Sequence, residues 1–393
     1  MSEDIVMDRS KRIKEQAAAL QEKMVDIRRE IHQHPELGFQ EYHTTDLIVQ
    51  ELDKLQIPCR RLEPTGVVAD LGNAGSKRIA LRADMDALPI QEETGYSFRS
   101  CTDKVMHACG HDTHVAMLLG AAEILKSLEE ELPGQVRLIF QPAEELAGGA
   151  DVVIEQGVLK GVDAIFGIHS SAGQPVGKIM ASKGPIFAAS ASFRIVVTGQ
   201  KCHGAFPHSG NDATVAGAAL VLAIKSAMAQ EQDAQRPLVV SVGSFHSDGS
   251  HNVIAGEAVL EGTVRSYDRD AHVRIKEVLE RISSNVAEAY RCQASVEYKV
   301  LTEVLINEDA LVDLGIEAAK KLTGVEPDPS PRFMGSEDFA AYTMQVPGAY
   351  LFVGIGGDQP SHCGKFWVEE AGFQTGAALY AQLAVDALEK LNK

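Results

Sequence analysis

The sequence predicts an α/β fold. A discontinuous domain, residues 1–184 and 300–393, carries a mixed sheet flanked by helices, and residues 185–299 form an inserted ferredoxin-like α+β domain. Three observations predict it. Short apolar runs of strand length alternate with longer runs of helical spacing through the first part of the chain, the pattern of a sheet covered by helices. Between about 185 and 299 the order changes to β-α-β-β-α-β, the split βαβ arrangement that closes on itself as a compact unit. After residue 300 the alternation of helix and strand returns.

Taken in order, a charged helical pattern runs from Ser10 to about His32 and gives way to HPELGFQE, where Pro35 pushes His34 out of the helical region and Gly38 marks a turn. A helix resumes from Thr44 to Leu55. GVVADLG and RIALRAD read as strands, the second ending in Asp84, Met85 and Asp86. HACGHDTH, residues 107–114, precedes VAMLLGAAEILKSLEE, whose apolar spacing and charged far face predict a helix from near residue 112. Val136 to Phe140 is a buried strand closed by Pro142, and it delivers Glu144 and Glu145; DVVIEQGVL is a helix, and DAIFGIHS a strand that brings His169. Within the insertion, ASFRIVVTG, PLVVSVGSF, NVIAGEAVLEGTVRSY and QASVEYK read as strands, and TVAGAALVLAIKSAMAQ and DAHVRIKEVLERISSNVAEAY as helices. Its first and last strands are expected to be neighbours, so it interrupts the host domain without separating its halves. Helices near 308–323 and 337–344, the strand AYLFVGIG, a loop holding His362 and a helix from about 370 complete the chain.

A length of 393 residues exceeds one ordinary core, and 45% apolar with 23% charged residues is a globular composition. The formal charge of -18 repels phosphate backbones and anionic membranes, which excludes nucleic acid as an expected partner. The opening MSEDIVMDRSKRIKEQ is charged where a secretory signal needs an apolar segment, and no stretch is expected to reach the roughly 18 apolar residues of a membrane span. A cytoplasmic protein with no membrane partner is the expectation. The 6 cysteines contain no CxxC pair, which argues against a disulfide framework.

Cys109 and His111 taken alone are compatible with a metal site, a nucleophilic cysteine with its base, or a His-rich polar loop. The strand ends change the balance. Glu144 and Glu145 follow one strand, His169 ends the next and His362 lies in a late loop, so thiolate, imidazole and carboxylate donors gather at one edge of a sheet. That mixture suits a pair of divalent ions such as Zn, Mn, Co or Ni. On an extended segment, Glu144 and Glu145 would point to opposite sides, one to ligate and one to serve as general base. A carboxylate beside a water acidified by metal, to a pKa of about 7, is what metal-assisted hydrolysis requires.

At this point the chain resembles the M20 metallopeptidase family, in the subgroup of aminoacylase, hippurate hydrolase and indole-acetyl-amino-acid amidohydrolase enzymes. The matching stretches are HPELGFQE, LRADMDALPI, HACGHD, VRLIFQPAEE, GGA, IFGIH, VTGQKCHGAFPH, NVI, LEGTVR, MGSEDFAAY and SHCGKF, in the family's order across nearly the whole chain. The resemblance implies that Cys109, His111, Glu145, His169 and His362 hold two metal ions per subunit, with Cys109 bridging, and that Glu144 is the general base. It implies that residues 185–299 act as a lid and dimerisation domain. His203 matches a residue that reaches the partner protomer's site to stabilise the oxyanion, and Asn252 and Arg265 match positions that hold a substrate α-carboxylate. An Arg fork there would offset the protein's own negative field. Cys202, Gly204, Ala255 and Thr113 depart from the family's usual residues and leave lid packing and substrate preference open. Asp84 and Asp86 are expected to hold ligands in place. His107, His114, His208 and His251 are expected to be structural or supporting, and Asp112 has no assigned role.

The leading expectation is a binuclear amidohydrolase that cleaves N-acyl-L-amino acids and works as a homodimer or higher homo-oligomer. A metallo-carboxypeptidase or dipeptidase with the same site is the alternative, since fold and metal do not set specificity. A cysteine hydrolase using Cys109 and His111 predicts activity that survives chelators. A non-enzymatic binding protein is disfavoured by the intact set of ligand and base positions.

Overall fold

The computed structural model describes residues 3–73, 77–330 and 332–392. Two compact units divide the chain: residues 1–186, 306–331 and 338–393 form the first, and residues 187–305 and 332–337 the second. In chain order, the first unit opens with helices α1 (Glu3–Ala19), α2 (Gln21–Gln33) and α3 (Tyr42–Lys54) and strands β1 (Cys59–Arg61), β2 (Val67–Gly72) and β3 (Arg78–Asp84). Helix α4 (His111–Ser127), β4 (Gln135–Gln141), α5 (Gly149–Glu155), β5 (Ala164–Ser171), β6 (Ile179–Met180) and β7 (Gly184–Phe187) follow. Next come β8 (Ala189–Thr198), β9 (Cys202–His203), α6 (Ala213–Glu231), β10 (Leu238–Ser247), β11 (Val253–Ile254), β12 (Glu257–Ser266), α7 (Ala271–Ala289) and β13 (Gln293–Thr302). The chain ends through β14 (Leu305–Asn307), α8 (Asp309–Thr323), α9 (Ala340–Thr343), β15 (Gly348–Gly354) and α10 (Phe373–Leu391).

The first unit is built on a seven-stranded sheet of order β1-β2-β4-β3-β5-β15-β6. Its centre, β4-β3-β5-β15, is parallel, while β1, β2 and β6 pair antiparallel at the flanks, so the sheet is mixed as the sequence predicts. Every residue of β15 and nearly every residue of β3 is buried, which is why both read as continuous rather than alternating apolar runs. Helices α4 and α10 are buried almost all round, so their apolar residues form no single stripe.

The second unit has its own hydrophobic core. Its sheet has the order β10-β12-β8-β13, fully antiparallel, and the first and last strands β8 and β13 are paired. With α6 and α7 this is the ferredoxin-like arrangement. One face of α6 is buried through Ala213, Ala216, Gly217, Leu220, Ile224 and Met228, while Val215 and Leu222 are exposed.

Four details differ from the sequence reading. Among the described residues α6 is one helix long and apolar enough, by length and composition, to cross a membrane, where none was expected; its alanines and glycine supply apolarity on a helix whose buried stripe packs into the unit's core. The first helical run breaks at Leu20 into α1 and α2. The stretch from Asn252 to Tyr267 splits at Ala255 and Gly256, because β11 pairs with β9 whereas β12 pairs with β8 and β10. The expected helix at 337–344 shortens to α9, preceded by Asp338, whose carboxylate is tied to Arg82, Gln141 and Ala150.

Candidate metal centre and active site

All five proposed ligands fall in the first unit, and so does Glu144. Cys109 and His111 flank Gly110, the residue immediately before α4. Gly110 has φ of 91°, and a Cβ there would lie 2.6 Å from Ser170 Oγ, so both the left-handed backbone and the close approach call for glycine. Thr113, a departure from the family pattern, donates its hydroxyl to the Gly110 carbonyl oxygen at 2.6 Å and fastens this first turn. His169 lies near the C-terminal end of β5, and its Nε2 is 3.7 Å from Cys109 Sγ. His362, in a left-handed conformation with φ of 64°, donates its backbone N–H to the Ala108 carbonyl oxygen at 2.8 Å.

Glu144 and Glu145 are not on an extended segment. They occupy a single 3-10 turn, Glu144–Leu146, bounded by Ala143 and Ala147, both in the left-handed region with φ of 54°. The expectation of opposite faces fails for that reason: carboxylate oxygens of both residues lie within 4.8 Å of the His111 ligand atom. Asp86 holds the turn and the imidazole together. Its carboxylate accepts from the backbone N–H of Glu144 at 3.1 Å and of Glu145 at 3.0 Å, and its carbonyl oxygen accepts from His111 Nδ1 at 2.9 Å. With Nδ1–H so engaged, the lone pair of neutral His111 sits on Nε2, facing the acidic groups.

Three donor sets converge around these residues: Cys109 with His111 and His169, Cys109 with Glu145 and His362, and His111 with Glu144 and Glu145. His362 Nε2 is 3.2 Å from Glu145 Oε1 without hydrogen-bond alignment. His111 Nε2 and Glu145 Oε1 are therefore both buried atoms without a hydrogen-bond partner. Buried polar atoms are rarely left so, and two lone-pair donors 4.0 Å apart suit a shared cation. The donor chemistry fits divalent transition metals.

The electrostatics agree. Burial opposes charge on His111, but Asp84, the Cys109 sulfur and Asp86 outweigh it and raise its pKa well above the usual value. Burial, with Glu145 beside it, pushes the Cys109 thiol up to about 12. Burial lowers His169 to about 3, with His114 adding to the effect, so its imidazole is neutral and its Nε2 free to ligate. The site favours added positive charge, and a cation would convert Cys109 to the thiolate.

His114 is excluded as a ligand because both nitrogens are engaged: Nδ1 with Asp84 Oδ1 at 2.5 Å, and Nε2 accepting from the Ser170 N–H at 2.8 Å. Asp84 is held by Arg82 Nη1 at 2.5 Å, and Arg82 Nη2 reaches Asp338 Oδ1 at 2.8 Å. Asp338, whose N–H approaches Glu144 Oε1 at 3.4 Å, has no counterpart in the sequence reading, although MGSEDF carries it. Asp112 accepts from Arg28 Nε at 2.8 Å and pairs with His32 Nδ1 at 2.7 Å, a buried anchor for α4 against α2. His107 is buried, and burial lowers its pKa to about 3.

His203, Asn252 and Arg265 belong to the second unit. His203 pairs in register with Val253, and the Gly204 N–H donates to the Asn252 carbonyl oxygen at 2.7 Å, so His203 and Asn252 are brought together at an exposed corner. A Cβ at position 204 would lie 3.1 Å from the Asn252 carbonyl, a tight approach that Asn252 would have to relieve by a small shift. Arg265 stands on β12 with Nη1 buried and without a hydrogen-bond partner. His208 and His251 are exposed.

The sequence profile of peptidase family M20/M25/M40 matches residues 80–386. The chain belongs to that family. It is 38% identical to thermostable carboxypeptidase 2 of Saccharolobus solfataricus, over 96% of this chain and 99% of the relative, and 37% identical to N-acetylcysteine deacetylase of Bacillus subtilis, over 95% and 99%. The solved structure of the Bacillus subtilis YXEP protein, a dinuclear metal binding peptidase from the M20 family, matches with a TM-score of 0.84 at 36% identity, covering 95% of this chain and 99% of that one. This M20 chain is thus a metal-dependent amide hydrolase, and divalent metal ions are its implied cofactor.

Proposed function

We propose that this enzyme hydrolyses N-acyl-L-amino acids to a carboxylate and a free amino acid. The observation that carries the reading is the convergence of Glu144 with Cys109, His111, Glu145, His169 and His362 about two buried, unpartnered donor atoms. Those five residues would hold two divalent ions, Zn, Mn, Co or Ni. Bound there, the ions supply Lewis acidity for activating water and polarising the amide carbonyl.

The chain's own residues do the rest. Glu144 takes a proton from the attacking water on a carboxylate oxygen and gives it to the leaving nitrogen, a shuttle that needs the side chain oriented and partly shielded from solvent. The N–H groups held by Asp86 and the approach of the Asp338 N–H fix that orientation. His203, from a partner protomer, donates to the developing oxyanion, and Asn252 with Arg265 holds the substrate carboxylate. The unpartnered Arg265 Nη1 supports an anion-binding role, and the exposed Val215 and Leu222 of α6 support a homo-oligomeric contact.

Glu144→Gln keeps the side-chain shape and removes the base. Turnover of an N-acetyl amino acid is expected to fall at least a hundredfold, the lower bound of a general base's contribution, with metal content at the wild-type level. Turnover unchanged by the variant defeats the assignment. A metallo-carboxypeptidase or dipeptidase is the second reading, favoured by the 38% identity to a carboxypeptidase. Rates on N-acetyl, N-benzoyl and dipeptide substrates side by side separate the two.

A further inference from the structure

Away from the catalytic centre, Glu30, His34 and His43 form a second donor cluster in the first unit. Glu30 is on α2, His34 immediately follows α2, and His43 is on the first turn of α3. Glu30 Oε1 is 3.3 Å from His34 Nδ1 and 3.3 Å from His43 Nε2, and one ligand atom from each residue lies within 4.8 Å of the others. The two imidazole centroids are 4.7 Å apart. We infer that Glu30, His34 and His43 bind one divalent transition-metal ion, of the zinc, nickel or copper class, separate from the catalytic metals.

The distances carry the argument. Tetrahedral zinc with bonds of about 2.0–2.1 Å to N and O sets its donors about 3.3–3.4 Å apart. Both Glu30 separations match that spacing, as does the 3.2 Å between His362 Nε2 and Glu145 Oε1 in the catalytic cluster. His43 Nε2 is an atom buried from solvent that has no hydrogen-bond partner despite facing a carboxylate, again as in the catalytic cluster. His34 Nδ1 donates to the Glu30 carbonyl oxygen at 3.0 Å, and ligation through Nδ1 requires the ring to give up this hydrogen bond to the ion. Two imidazoles and one carboxylate favour transition metals over magnesium or calcium, and three protein donors leave a position for water.

The placement gives the site a consequence. His34 and His43 bracket the loop of HPELGFQE, and that loop backs the Glu144 turn: a Cβ on Gly38 would sit 2.9 Å from Leu146 and 3.0 Å from Ala143. The backbone at the far end of the loop is already fixed by Glu36, which accepts from the N–H groups of His43 and Thr44. An ion bridging α2 and α3 closes this loop at its ends and raises the stability of the folded chain.

The test uses the metal-loaded enzyme, dialysed against buffered Zn²⁺ and analysed for metal per chain. Wild type is expected to bind one equivalent more than His43→Ala or Glu30→Gln, and both variants to hydrolyse substrate at the wild-type rate, which also certifies their folding. Added Zn²⁺ is expected to raise the melting temperature of wild type and not of the variants. Equal metal content in wild type and variants overturns the site. As an independent measurement on wild type alone, Cu²⁺ added to the loaded enzyme is expected to show electron paramagnetic hyperfine coupling to two imidazole nitrogens; a spectrum without nitrogen coupling overturns it as well.

Discussion

Glu41 is the last residue of HPELGFQE and has no solvent exposure, yet it is a carboxyl group. Its Oε1 accepts from the Ala143 N–H at 2.9 Å, and its Oε2 pairs with Thr65 Oγ1 at 2.5 Å. Burial outweighs those hydrogen bonds, the Asp86 charge adds to burial, and the pKa rises from 4.5 to about 7. The sign follows directly. The folded state holds the proton at a pH where the unfolded chain has released it, so this residue costs nothing below pH 4.5 and destabilises progressively as pH rises through 7. Gln keeps the acceptor for Ala143 and offers an amide to Thr65, but has no proton to lose. Between pH 5 and 8.5 wild type should therefore lose roughly 2.5 kcal/mol more stability than Glu41→Gln. Urea denaturation of both proteins at the two pH values, with the same excess of metal ion, measures this double difference, in which the titrations that the substitution leaves untouched cancel. A difference that stays constant with pH refutes the argument that Glu41 is buried as an acid behind the catalytic turn.

Two further substitutions probe the frame of the site. Asp86→Asn replaces one acceptor oxygen with an amide that faces an N–H donor of Glu144 or Glu145, and metal affinity is expected to fall about 10–100-fold in a metal-buffered titration; unchanged affinity would show that Asp86 does not position the ligands. Gly110→Ala forces a Cβ against Ser170 Oγ at a φ of 91°, so a stability loss of about 1–3 kcal/mol is expected in denaturant melts, and a neutral result would mean the turn before α4 adapts freely.

The fold was legible where chemistry and periodicity coincide. Strands β3, β4 and β5 read as strands because each is an apolar run of the right length, and Asp84, Glu144, Glu145 and His169 were visible because charged or ligating residues interrupt that apolarity at or just after a strand's C-terminal end. What stayed hidden depends on distance or on unmarked backbone. Arg82 lies inside an apolar strand, almost completely buried, and only the fold shows that Asp84 and Asp338 neutralise it. Asp112 finds Arg28 and His32 some 80 residues away in the chain. Ala143 and Ala147 adopt left-handed conformations that alanine does not advertise, so the 3-10 turn that aims both glutamates at one centre reads as an extended segment in sequence.

The two kinds of hidden feature serve one physical end. Anionic donors packed together repel one another, and a turn with two left-handed alanines is costly, so the cluster persists only if surrounding groups over-determine it. Asp86 binds both glutamate N–H groups and the His111 ring, Glu41 holds the Ala143 N–H from behind, and Arg82 balances Asp84 and Asp338. His111 is driven toward its charged form while Cys109 is driven toward its neutral one, although the two side chains belong to the same donor set. Both groups are thus driven to keep their proton, His111 by the acidic groups around it and Cys109 first by burial and then by Glu145, and a divalent cation displaces both protons at once. The supporting residues can therefore be read as the means by which the fold holds a pocket that is strained and electrically unbalanced until a metal ion binds, which is why Asp86 and Glu41 are the places to perturb it without touching a ligand.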